Sequence, residues 1–191
     1  MCIHDAACKQ TAVAEFIHGH PLHRSVAEHP ALVGIADIAW ADIAGCPADV
    51  PAVFAGLLDR SSCAEALRVL QIVLHDGTFR LSVAMPRALP FLIRLGSDPT
   101  VPGRVDVAEW VLLIAFLSLP VTEDSSSFEV MLSGLDSDRP ERAECRTVFA
   151  EHVDHCRTLL RDDDPSEKLI SNQDFDALLE AAEQPGQTAS C

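Results

Sequence analysis

Apolar residues recur along most of this chain at intervals of three and four, the period of a helix with one buried face, and no segment shows convincing apolar–polar alternation. Residues 5–17 form the first such stretch, with Val13, Phe16 and Ile17 on one side, and the sequence His-Gly-His-Pro at 18–21 stops it. Leu32, Ile35, Ala39 and Ile43 share a second helical face over 31–44, closed by Gly45. A third helix opens at Asp49 as N-cap, with Pro51 in the first turn, where its missing N–H costs nothing. Its stripe is Val50, Phe54, Leu57 and Leu58. A fourth helix fits 62–74, with Ser62 and Glu65 at capping-box spacing and Leu67, Leu70, Val73 and Leu74 facing inward. His75-Asp76-Gly77-Thr78 is the turn after it, and helical spacing resumes from Leu81 to Leu95, with Pro90 opening a new helix. Further helices are expected over 104–119, 140–161 and 172–183. The 140–161 helix carries Cys145, Val148, Phe149, His152, Cys156, Leu159 and Leu160 on one face. The polar run 122–127 reads as a loop and 184–191 as a disordered tail.

Set against itself at an offset of about 39 residues, the chain repeats. Pro51 falls on Pro90, Val50 on Leu89, Phe54 on Ile93 and Asp59 on Asp98, while Val73 and Leu74 fall on Leu112 and Leu113. A fainter third copy aligns Asp59 with Asp138, Ala64-Glu65 with Ala143-Glu144 and Val69-Leu70 with Val148-Phe149. A period of about 40 residues, two amphipathic helices per unit and no strand form the pattern of a HEAT or armadillo solenoid. One helical hairpin cannot bury its own apolar face, so neighbours stack and share a core. The Asp at the end of each first helix sits in the inter-helix turn, where its carboxylate is placed to cap the second helix. The expected fold class is therefore all-α: a HEAT/armadillo-type α-solenoid of two to three helical-hairpin repeats with flanking helices. It occupies 31–183, preceded by an N-terminal helix and His-rich loop over 1–30.

The stretch from Trp40 to Leu119 also resembles a known family, the small HEAT-repeat (armadillo-like) domain proteins common in actinobacteria. The residues that carry the resemblance are Asp49-Val50-Pro51, His75-Asp76-Gly77-Thr78, and Pro90-Phe91-Leu92 with Asp98-Pro99. In similar sequences the residue before the His is often Trp and the one after it often Gln; here they are Leu74 and Asp76. The resemblance implies a helical repeat scaffold and no particular reaction.

Composition narrows the function classes. At 191 residues the chain can bury a sizeable core, and 48% apolar against 23% charged residues excludes wholesale disorder. Only 5% of residues are aromatic and none is Tyr, which agrees with helices rather than sheets. Lys plus Arg number 14 against 29 Asp plus Glu, a formal charge of -15. That balance excludes the basic groove that nucleic acid needs and favours a protein partner with a basic surface. The most apolar run, Trp110 to Leu119, is about half the length of a bilayer span, so no membrane partner is expected. The seven cysteines (Cys2, Cys8, Cys46, Cys63, Cys145, Cys156 and Cys191) form no CxxC, and no export signal precedes them. They read as reduced thiols in a cytoplasm.

The binding candidates are His75, Asp76, Thr78, Trp40 and Trp110. His75 ends a helix, where imidazole suits the last carbonyls, Gly77 opens the turn and Thr78 caps the next helix. Functionally, the same turn offers a polar spot on one rim of the solenoid, with His75 and Asp76 as a base without a nucleophile beside it. Trp40 and Trp110 read as packing residues first and as binding hot spots second. His4, His18, His20, His23 and His29 cluster near the N-terminus, and His152 and Cys156 stand four apart, but neither group completes a ligand set for a metal. GxSxG, P-loop, GxGxxG and HExxH are absent. The expectation is a cytoplasmic protein-binding scaffold without catalytic residue, metal or cofactor. It would serve as an immunity- or antitoxin-like protein or as an accessory subunit. The rival is a small biosynthetic enzyme, with a small-molecule ligand, that uses the concave groove and the N-terminal histidines.

Overall fold

The chain is helical over most of the residues that the computed structural model describes, 5–20, 29–162 and 172–183. Helix α1 (Ala6–Gly19) starts at Asp5, whose carboxylate accepts the Cys8 N–H at 2.8 Å. Its buried side carries Lys9, Val13 and Phe16. The expected helix over 31–44 is instead three 3-10 turns, Pro30–Leu32, Ile35–Asp37 and Trp40–Asp42. Gly34 stands among them at φ 88°, outside any right-handed helix. The Trp40 indole N–H donates to the Ile35 carbonyl at 3.0 Å, an alternative to the helical ladder. Leu32, Ile35 and Trp40 are buried all the same, so the apolar spacing reflects burial rather than a helix.

Two helical hairpins follow. The first pairs α2 (Val50–Gly56) with α3 (Cys63–Leu74), and the second pairs α4 (Met85–Ser97) with α5 (Arg104–Leu117). Their turns match in detail. Asp59 Oδ1 accepts the N–H and hydroxyl of Ser61 at 2.8 and 2.9 Å, and Asp98 Oδ1 accepts the N–H and hydroxyl of Thr100 at 2.8 and 2.7 Å. Both aspartates lie in the inter-helix turn as the repeat predicts, and their carboxylates fold that turn through Ser61 and Thr100; the start of α5 at Gly103 has no side-chain cap bond. Asp49 and Ser62 also lack side-chain cap bonds. Ser62 Oγ donates back to the Gly56 carbonyl at 2.9 Å, and Glu65 pairs with Arg68 at 2.6 Å.

Each hairpin closes through a glycine facing an alanine. A Cβ on Gly56 would stand 2.9 Å from Ala66 Cβ, and one on Gly96 would stand 3.3 Å from the Ala108 backbone. Between the hairpins, single contacts link equivalent positions. Phe54 of α2 meets Phe91 of α4 edge-on at 5.9 Å, and the Cys63 Sγ at the start of α3 lies 3.5 Å from the Cβ direction of Gly103 at the start of α5. Helix α1 lays Phe16 against Gly56 and Ala66, so the N-terminal segment joins the first hairpin's core.

Between the hairpins the chain forms two short antiparallel strands, β1 (His75–Gly77) and β2 (Arg80–Leu81), too short to show alternation in sequence. Helix α4 opens at Met85 with Pro86 in its first turn and runs through Pro90, rather than opening there. Pro90 lies just past the first turn, so it forfeits a single ladder bond. Helix α4 has no side-chain cap: the Ser82 hydroxyl accepts the Ala84 N–H at 3.3 Å in the turn before it, and Thr78, expected as the cap, sits too early, in the turn between the strands.

The last third departs most from expectation. A short helix, α6 (Ser127–Ser133), follows the serine-rich loop. The single helix over 140–161 is two, α7 (Pro140–Glu151) and α8 (Val153–Asp162), broken at His152 with φ -113° and ψ 23°. The buried stripe of Cys145, Phe149, Cys156 and Leu159 continues across the break, which is why the spacing hides it. Helix α9 (Asn172–Glu183) packs Phe175 edge-on against Phe149 at 6.0 Å, while α4 runs centrally against α5, α7 and α8.

A polar clamp holds the α5–α7 connection. Arg146 donates to the Ser118 carbonyl at 2.8 Å and to Asp136 Oδ2 at 2.6 Å. Arg142 donates to the carbonyls of Leu119 and Gly134. Val121 and Asp136 exchange two bonds, Asp136 N–H to Val121 O at 3.0 Å and Val121 N–H to Asp136 Oδ1 at 3.2 Å. Both arginines are buried and satisfy carbonyls at the end of α5 that have no helical partner.

Candidate functional site

The rim formed by the 75–83 segment gathers most of the candidate residues. Leu74 ends α3, and its carbonyl accepts the Ser82 N–H at 2.9 Å, which closes the base of the strand pair. His75 points inward and is buried. Trp110 of α5 donates its indole N–H to His75 Nε2 at 3.0 Å, with the rings stacked at 5.9 Å and 26°. An indole N–H only donates, so Nε2 must be the unprotonated nitrogen and the ring proton of the neutral form sits on Nδ1. His75 therefore joins the second helices of the two hairpins. A general base must present a lone pair to its substrate, and here that of Nε2 is engaged by Trp110.

Asp76 points the other way and is half exposed. Lys9 of α1 reaches it at 2.6 Å, with the lysine side chain itself buried. An ammonium in that position needs a charged partner, so the pair pins α1 to the rim. Beyond the pair, Thr78 and Arg80 are exposed, and Phe79 and Val83 present 42% and 47% of their surface. The site thus has a rigid base and a partly apolar tip. Trp40 is not part of it: its ring lies in the core against Phe54 at 6.3 Å.

Sequence reasoning missed Lys9, Phe79 and Val83. Lys9 carried a legible signal, because it shares the helical face of Val13 and Phe16 at spacings of four and seven, where a lone charge needs a partner.

An open groove of about 290 Å³ runs between the start of α1 and the 41–47 segment, lined by Gln10, Asp42, Gly45 and Cys46 among others. Burial pushes the Cys46 thiol up to about 11, so it stays protonated at neutral pH and is a poor nucleophile. The histidines are dispersed. His18 is exposed, His20 stacks on Phe16 at 4.9 Å, and His29 lies 3.7 Å from Asp98; His4 and His23 lie outside the described residues. His152 faces His155 at 6.0 Å, and burial, then Arg94 and His155, hold it below its ordinary value. Cys156 is pushed up to about 12 by burial. Among the described residues, no group of three or more His, Cys, Asp or Glu is placed to hold a metal ion, and no helix is long and apolar enough to cross a membrane. No family model matches the chain, and neither a curated protein nor a solved structure matches it.

Proposed function

We propose that this chain is a protein-binding helical-repeat scaffold of the HEAT/armadillo kind, working in the cytoplasm on a partner with a basic surface, in an immunity-like or accessory role. The observation that carries the reading is the equivalence of the two hairpins. The matching Asp59–Ser61 and Asp98–Thr100 turns, the Gly56–Ala66 and Gly96–Ala108 contacts, and the Phe54–Phe91 ring contact support a unit used twice. Stacked units of this kind act by presenting surface. A charge of -15 steers a basic protein toward that surface and makes the encounter salt-dependent. The rival enzyme reading needs a base or nucleophile presented to a cleft. The engagement of His75 by Trp110 and the raised Cys46 thiol count against it.

The test is affinity capture of the tagged protein from its native lysate at low and moderate salt, read by mass spectrometry. Recovery of a single basic protein at low salt, lost as salt rises, is expected. Recovery of no protein under either condition overturns the reading.

A further inference from the structure

The chain leaves the helical body after α5 at Val121 and returns to it at Asp136. Those two residues are joined by the paired bonds at 3.0 and 3.2 Å, and Arg142 and Arg146 brace them from beneath. Residues 122–135 are therefore a lobe with a closed neck, the form of a compact Ω-loop. Its helix, α6, presents Phe128 and Met131 to solvent at spacing three, the same side of the helix. They are 64% and 72% exposed, the two most exposed large apolar side chains among the described residues. Two long apolar side chains side by side on a braced support are the anatomy of an anchor rather than of a folding accident.

Charge says what such an anchor meets. The stretch 120–138 holds five acids, Glu123, Asp124, Glu129, Asp136 and Asp138, and no Lys, Arg or His. Asp136 is engaged by the clamp, while Glu123, Asp124 and Asp138 are exposed. The hairpin tip differs, because its exposed Phe79 stands next to Arg80. A second copy of this chain would bring acid against acid. We propose that the α6 lobe is the docking surface for the basic protein partner, Phe128 and Met131 entering an apolar pocket rimmed by lysine or arginine. This assignment rests on the scaffold reading above. An apolar centre ringed by complementary charge is how protein interfaces combine affinity with steering.

The experiment uses the full-length tagged chain with a photo-crosslinking phenylalanine analogue at position 128 and, in a separate protein, at position 79. Each is irradiated in native lysate at low salt, and the adducts are identified by mass spectrometry. Capture by the unlabelled protein is compared with capture by Phe128→Ser/Met131→Ser and by Glu123→Lys/Asp124→Lys. The salt-sensitive basic protein is expected to crosslink from 128 and not from 79. The apolar variant should lose roughly tenfold or more in capture. The charge variant should lose its salt dependence while its circular dichroism spectrum and thermal midpoint stay those of the wild type. Crosslinking from 79 alone, or undiminished capture by both variants, overturns the lobe assignment and leaves the scaffold reading standing. Crosslinks from 128 to this chain's own 163–171 or 184–191 also overturn it. Capture of no basic protein overturns both.

Discussion

Replacing Gly56 by alanine tests the seat of α1 on the first hairpin. The added methyl would overlap the Phe16 ring and stand 2.9 Å from Ala66 Cβ, and both neighbours are buried. Overpacking of this kind costs about 1–3 kcal/mol. Against it stands the propensity gain of alanine over glycine in a helix, up to about 1 kcal/mol. The net expectation is a loss of about 1–2 kcal/mol, which for a chain of this size lowers the thermal midpoint by roughly 2–8 °C. Gly96 provides the internal comparison. There the new Cβ meets the Ala108 backbone at 3.3 Å, a tight contact but no overlap, so gain and cost nearly offset and Gly96→Ala is expected close to neutral. Urea unfolding followed by far-UV circular dichroism measures both. Phe16→Leu supplies the mechanism check, since a smaller side chain relieves the obstruction and should reduce the cost of Gly56→Ala by about 0.5 kcal/mol or more. A rise in midpoint for Gly56→Ala, or a cost unchanged by Phe16→Leu, refutes the seating of α1 on that glycine.

Three further outcomes are expected. Asp76→Ala strands the buried Lys9 ammonium and should destabilise more than Lys9→Met, which removes the charge and keeps the stem; a thermal melt of both variants that ranks them the other way rejects the pin. Burial raises the thiols of Cys46, Cys145 and Cys156, so in the native protein at pH 8 these should resist a thiol reagent that modifies exposed Cys8, and peptide mapping that finds Cys145 modified as fast as Cys8 contradicts the packing of α7. His152 titrates below its ordinary value of 6.5 when folded, so the folded state resists the proton that the unfolded chain accepts. Stability should fall as pH drops from above 6.5 through the depressed value. His152→Gln should flatten that slope in melts between pH 7 and pH 5, and parallel slopes exclude the effect.

The repeat was legible because the two hairpins reuse residues with a local job. Asp59 and Asp98 fold their turns through the next Ser or Thr, and that need leaves an identical mark in each copy. Helices α1, α3, α5 and α9 were legible from apolar spacing. The same spacing misled at 31–44, where burial without a helix leaves an identical stripe, and at His152, where two helices share one buried line. Helix α6 escaped because it opens inside the serine run 125–127 and its most prominent apolar residues face outward, reversing the pattern that identifies a helix. In the candidate site, the His75–Trp110 bond joins residues 35 positions apart, and the Lys9–Asp76 pair residues 67 apart. No local rule reaches that far, though a charged residue on an apolar face does announce that a partner exists.

The closed neck at Val121 and Asp136 also uncouples the length of the lobe from the body that carries it. Val121, Asp136 and the two arginines beneath them hold the two ends of the lobe together, so an insertion at its tip lengthens a loop that is already closed. Doubling such a loop costs only about 0.6 kcal/mol in closure entropy. The lobe thus tolerates a change of length at its tip, with Asp136, Arg142 and Arg146 holding its neck.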